Sequence, residues 1–399
     1  QPGDQILLER GSVFVGEYLH LYRGGTKEAP VVVDAYGEGA LPRIETDGNG
    51  IWYQNYGGHL DNVVHIWKGY LSSAVLLYDA EYISIRNLEI TNNPCVQNER
   101  LNQADRMNRT GVSVIAKNHG TLHEIELDHL YIHDVEGNIY DKHLNNGGIY
   151  MSVSRPDDEE KTGIARYDGI HIHHCKVENC RRWGIAAGYT YQHDKFTTLE
   201  LPDEVVKAYG STNVVIEHNF VKDIGGDGIT PMYCFEPLIQ YNVSENIAVD
   251  IHPDLYNEEG NRGGMTAAAI WPWKCKTALF QYNEVYNTVY NQDGQAWDAD
   301  SGDGTIYQYN YSCNNGGGCV MFCEGESVNP DPGTKRGCEN LWQHLLYKRR
   351  RGLYPSSDLG RYNDRRRRNR SHRQHYHLRR KRPQRRVLDL QQPQGILSE

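Results

Sequence analysis

The sequence predicts an all-β fold, a right-handed parallel β-helix, on three observations. A strand phrase recurs along the chain, a polar residue returns at one place within it, and the composition favours short strands joined by polar turns. The 399 residues include 40 Gly and 28 Tyr, with only 38% hydrophobic residues. That balance disfavours a helical bundle.

The phrase runs as YISIRNLEITNN from Tyr82, IELDHLYIHDVEGN from Ile125 and GIHIHHCKVENCRRWG from Gly169. It returns from Asn213, Leu238, Ala278 and Thr305. Its polar position is expected at Asn87, Asp128, His174, Asn219, Asn242, Asn283 and Asn310, spaced 23 to 46 residues apart. Repeating coils with insertions suit a solenoid, because each coil buries its inward side chains only by stacking on its neighbours. An Asn amide satisfies backbone groups at a bend and tolerates the left-handed conformation there, so these asparagines read as structural.

A second strand follows each Gly-rich turn: GGIYMSV, WGIAAGY, DGITPMY, AAIWPW, QAWDADS and GCVMFCE. Side chains alternate across a strand. With Ile149, Ile185, Ile229, Ile270, Trp297 and Val320 inward, the outward ladder reads Tyr150/Ser152, Ala186/Gly188, Thr230/Met232, Trp271/Trp273, Asp298/Asp300 and Met321/Cys323. A slip of one residue would reverse every face. The long insertions from Ser154 and from Tyr191 read as binding walls on this scaffold.

The last part reads as a separate segment. Lys348 to Arg386 hold 17 of the chain's 42 Lys and Arg, and only 4 of its 52 acids lie beyond position 347. The preceding body therefore carries 25 bases against 48 acids, near −23, a field that repels nucleic acid and polyanions and favours a neutral partner. The division expected is a β-helix domain over 1–329 and a basic, disordered or out-of-frame tail over 330–399, which would truncate the solenoid at its C-terminal end.

The chain opens on Gln1 with no apolar export segment ahead of PGDQILL, so it reads as a piece of a longer protein. Export to the exterior or the cell surface follows from the fold and the expected substrate. No run approaches the length of a membrane span. Nine cysteines lack paired CxxC spacing, which disfavours structural zinc and suggests buried or stacking residues. A monomer is expected.

The segment NQDGQAWDADSGDG, 291–304, carries the chemistry. Asp298 and Asp300, two apart on one face, have Cβ atoms roughly 6.5 to 7 Å apart, which rotation brings toward the spacing of a glycosidase acid pair. Mutual repulsion would raise one pKa and leave the other group ionised. Trp271 and Trp273 on the preceding coil offer indole faces for a sugar ring. Tyr150, Asp227, His193, Asp303 and Glu324 complete the candidate substrate contacts, with Asp194 and Lys195 beside His193. His171, His173 and His174 alternate with Ile170 and Ile172 and read as a solvent-facing strand, so no metal site is assigned. No cofactor is required, although calcium is an option at the aspartates.

These residues resemble glycoside hydrolase family 136, a family of pectate-lyase-like solenoids. The likeness rests on PGDQILLERGSVF, YIHDVEGN, HLNNGGIY, RRWGIAAGYTYQHDKF, AAAIWPWKCKTALFQYN and NQDGQAWDADSGDGTIYQYN, and covers residues 1 to 329. It implies a lacto-N-biosidase-like enzyme that releases lacto-N-biose from a neutral oligosaccharide with retention, using two aspartates seven positions apart. Those positions match Asp293 as acid/base and Asp300 as nucleophile. The spacing argument pairs Asp298 with Asp300 instead, so the partner of Asp300 stays open at this point.

Two alternatives stand beside the glycosidase. One is a calcium-dependent lyase on a uronate polymer, with Lys274 or Arg182 as base. The other is a non-catalytic glycan-binding surface solenoid.

Overall fold

The computed structural model describes residues 1–61, 67–94, 107–139, 141–142, 145–198, 200–251 and 266–323, with the strand backbones of Gln343–Arg349 and Gly352–Tyr354. The chain falls into two compact units, Gln1–Tyr362 and Asn363–Glu399, and the described residues all lie in the first. Apart from those two short strands, the expected tail lies outside the described residues. Gln343–Arg349 pairs in parallel with Ile306–Cys313.

The coils stack as a parallel β-helix. Period-two alternation places Leu127, Ile172, Ile216, Ile239, Phe280 and Tyr307 in one inward row, each paired in register with the next. All six are buried. A buried aliphatic or aromatic side chain of this size contributes about 1.5–3 kcal/mol, and the row repeats that gain coil after coil. The outward neighbours of this row are polar, with Gln240, Gln281 and Gln308 joined amide to amide at 2.8 Å.

The bend after these strands differs from the sequence expectation by one residue. Asn219, Asn242, Asn283 and Asn310 do form a buried ladder: each Oδ1 accepts the backbone N–H of the coil before it, at 2.9–3.0 Å. Each Nδ2 donates to a carbonyl of that coil at 2.9 Å. Upstream, however, the ladder is met by Cys175, not His174. The left-handed conformation belongs to the residue before each Asn: His218, Tyr241, Tyr282 and Tyr309 have φ of 54–55°. Asn87, His129 and His174 share that conformation, so Asn87 and His174 belong to this exposed row and Asp128 to the strand ahead of it. Side chains without a glycine's freedom take this backbone here because their rings stack: His129, His174, His218, Tyr241, Tyr282 and Tyr309 form a continuous pile with centroids 4.8–5.2 Å apart.

The second strand of each coil keeps the expected register. Ile149, Ile185, Ile229, Ile270, Trp297 and Val320 pair in sequence and are buried. One correction applies to the outward side, where a bulge after Met151 sets Ser152 against Tyr189 instead of Gly188. Gly228 is required within this wall, because a Cβ there would stand 2.3 Å from the Ala269 carbonyl of the next coil. Cys175, Cys180, Cys234, Cys275 and Cys319 are free and buried. No helix among the described residues is long and apolar enough to cross a membrane.

Candidate active site

The strand Gln295–Asp300 brings the acidic segment onto the outward wall. Asp298 and Asp300 point the same way, two residues apart. Their surroundings differ. Asp300 is partly exposed and accepts a 2.8 Å hydrogen bond from Ser301 Oγ. Asp298 is only 4% exposed, and its Oδ1 has no hydrogen-bond partner. Burial drives the Asp298 pKa well above the ordinary carboxylate value, and the charges of Asp300, Asp293 and Asp227 push it the same way against Lys142. Burial and the surrounding carboxylates thus favour the protonated form of Asp298. Asp293, on the turn before the strand, is partly exposed.

Trp273 pairs with Asp300 in parallel register on the adjoining coil, about one strand spacing of 4.8 Å away. A residue far upstream sets its indole. Asp61 Oδ2 accepts from Trp273 Nε1 at 2.8 Å and from Tyr233 OH at 2.8 Å, and its Oδ1 accepts from Tyr189 OH at 2.7 Å. Lys274 is 1% exposed, with Nζ over the rings of Trp273 and Tyr233 and no hydrogen-bond partner. Desolvation lowers its pKa, opposed by Asp61, Asp300 and Asp194.

A second buried network lies at the start of the wall strands Trp183–Thr190 and Asp227–Pro231. Arg182 and Asp227 are both fully buried, and Arg182 Nη2 donates to Asp227 Oδ2 at 3.0 Å. Asp227 Oδ1 accepts from Trp271 Nε1 at 3.0 Å and from the Ala268 N–H at 3.1 Å. Arg182 Nη2 also donates to the Thr266 carbonyl at 3.0 Å, while its buried Nε and Nη1 have no hydrogen-bond partner, so the ion pair offsets only part of the cost of burying the two charges.

Comparison with known proteins bears on this arrangement. The chain is 42% identical over 366 residues to a lacto-N-biosidase of Bifidobacterium longum subsp. longum, across 82% of this chain and 23% of that protein. It matches the native crystal structure of a GH136 lacto-N-biosidase from Eubacterium ramulus with a TM-score of 0.82 and 51% identity, covering 90% of this chain. The selenomethionine derivative of that protein gives 0.81 and 50%. No family model matches. This solenoid is a glycoside hydrolase family 136 β-helix. The chain spans 59% of the length of the solved relative and about a quarter of the Bifidobacterium protein.

Within this family 136 wall, the candidate residues divide by exposure. Asp293, Asp300 and Trp273 are partly exposed, the last two in register on adjacent coils. Trp271, Tyr150 and Asp227 are buried, Trp271 stacked on Trp183 at 6.4 Å and hydrogen-bonded to Asp227, so they are sealed from a ligand and do not line the open part of the wall. Asp303 is also buried; it accepts the Leu201 N–H at 3.2 Å and pairs with Lys276, which pins the insertion after Tyr191 to the wall. His193, from that insertion, is lowered in pKa by burial, with Asp61 and Lys274 among the charges that act on it. Glu324 lies outside the described residues. Asp61 carried no signal in the sequence, since it belongs to no repeat phrase and meets Trp273 across 212 positions.

Proposed function

We propose that this β-helix carries the active-site wall of a secreted or cell-surface retaining glycosidase that acts on neutral, amino-sugar-containing oligosaccharides, in the manner the name lacto-N-biosidase describes. The observation that carries the reading is the contrast among three neighbouring aspartates: Asp293 and Asp300 are partly exposed, while Asp298 is sealed among like charges that favour its protonated form. Accessibility supports Asp293 over Asp298 as partner of Asp300. Asp300 attacks the anomeric carbon while Asp293 protonates the departing glycosidic oxygen; Asp293 then takes a proton from the water that releases the sugar from Asp300. A neutral Asp298 limits the negative charge stored between them. Trp273 covers the apolar face of the sugar beside Asp300. The acidic body disfavours a uronate polymer. So does the burial of Arg182 in an ion pair, which removes one of the two candidate bases for a lyase.

The test is incubation of the chain with a nitrophenyl lacto-N-bioside, followed by proton NMR of the first product. Release of disaccharide that keeps its anomeric configuration supports the reading; inversion rejects the covalent mechanism. An unsaturated, ultraviolet-absorbing product lost on chelation points to the calcium-dependent lyase. Sugar binding without product from a cooperatively folded chain leaves the binding solenoid.

A further inference from the structure

Thr121–Asp128 and Arg166–His173 lie side by side in the sheet that also carries the aromatic pile, and their outward side chains meet at one point. Asp128 pairs with His173 across the coils, and His174 follows at the left-handed bend with φ of 51°. Asp128 Oδ1 is 3.0 Å from His173 Nδ1 and 3.6 Å from His174 Nδ1. The two Nδ1 atoms are 2.9 Å apart.

We propose that Asp128, His173 and His174 form a site for one divalent transition-metal ion that bridges two coils. An ion about 2.0–2.1 Å from each donor needs donors about 2.8–3.6 Å apart for angles between 90° and 120°, the range these three atoms span. Two imidazoles and a carboxylate suit zinc, cobalt or nickel. Two ring nitrogens at 2.9 Å require a proton or a cation between them, and one ion satisfies both together with the carboxylate.

The surroundings are arranged for this use. His173 presents Nε2 to Glu126 Oε1 at 3.2 Å, so the carboxylate accepts that N–H and leaves the Nδ1 lone pair for the ion. His129 Nδ1 stands 2.5 Å from Asp128 Oδ1 and steadies the carboxylate. The side chains of Asp128 and His173 are 18% and 12% exposed, while His174 at 47% leaves room for water to complete the coordination. A neighbouring group, Glu126, His171 and His173, also converges. It uses the opposite nitrogen of His173, and a neutral imidazole serves only one of the two.

The experiment uses tag-free chain stripped of metal by a chelator and titrated with Co2+ and then Zn2+. The expected result is one ion per chain, a visible cobalt absorption band and a raised melting temperature on loading. His174→Ala and Asp128→Asn should each weaken binding by about tenfold or more. His218→Ala, whose ring stacks on His174 at 5.1 Å without entering the donor set, should leave binding intact. Wild-type chain that shows no cobalt band up to millimolar metal overturns the proposal. So does His171→Ala abolishing binding while His174→Ala retains it, which would move the ion to the neighbouring group. Neither result bears on the glycosidase, because the readout is metal binding alone.

Discussion

Trp273 and Asp300 stand in register on adjacent coils, and Asp61 fixes the indole of the first with a 2.8 Å hydrogen bond. An indole and a carboxylate are thereby held by the backbone pairing of the solenoid, with the ring orientation set by one distant anion. Organised this way, binding and chemistry can be separated by mutation.

Asp300→Asn should lower turnover by about 10³-fold or more while glycan binding survives, because the nucleophile is lost and the platform is kept. Trp273→Ala should instead raise KM by about five- to tenfold with a smaller change in kcat, the loss expected for a stacking contact. Steady-state kinetics and calorimetry on both variants check the split; equal loss of binding in Asp300→Asn contradicts it.

Asp61→Ala leaves the buried hydroxyls of Tyr233 and Tyr189 without this acceptor, while Trp273 Nε1 keeps only the Tyr233 hydroxyl at 3.0 Å. A cost of about 2–4 kcal/mol in denaturant unfolding is expected, together with a raised KM. Asp61→Asn, which keeps an acceptor oxygen, should recover part of both. A neutral effect on stability would show that the hub is not structural.

The raised pKa of Asp298 predicts a pH signature. Its stability contribution is fully present below the unfolded carboxylate value of about 4, then falls as pH rises toward the folded value, by about 1.4 kcal/mol per unit within that interval. Asp298→Asn removes this dependence. The variant should therefore gain on the wild type as pH rises above about 4 in matched unfolding curves, and a gap that stays constant with pH would count against a raised Asp298 pKa.

Asn242→Ala should destabilise by about 2–4 kcal/mol, since Asn242 Oδ1 accepts the Asn219 N–H at 3.0 Å and its Nδ2 donates to the Ile216 carbonyl at 2.9 Å, all in buried surroundings. Chemical denaturation measures it. Asn246→Ala, a half-buried neighbour outside the ladder, serves as the control and should cost much less.

What the sequence by itself determined was periodic: the inward rows headed by Ile149 and Leu127, the strand that presents Asp298 and Asp300 on one face, and the coil above it that carries Trp273. These follow from alternation along a strand and repetition between coils, both local properties of the chain. Even so, the ladder row was misplaced upstream, one residue early at Asn87 and His174 and two at Asp128, because a polar side chain at the end of a strand or at the bend resembles the Asn that follows the turn.

Only the tertiary structure decided which carboxylates are open, because exposure depends on what non-repeating segments lay over the wall. Asp298 and Trp271 share a strand face with Asp300 and Trp273 yet end up covered. The same holds for Asp61 meeting Trp273 and for Asp128 meeting His173 and His174. Such meetings depend on the path of loops and on coil-to-coil register, and period-two alternation within one strand carries no record of either.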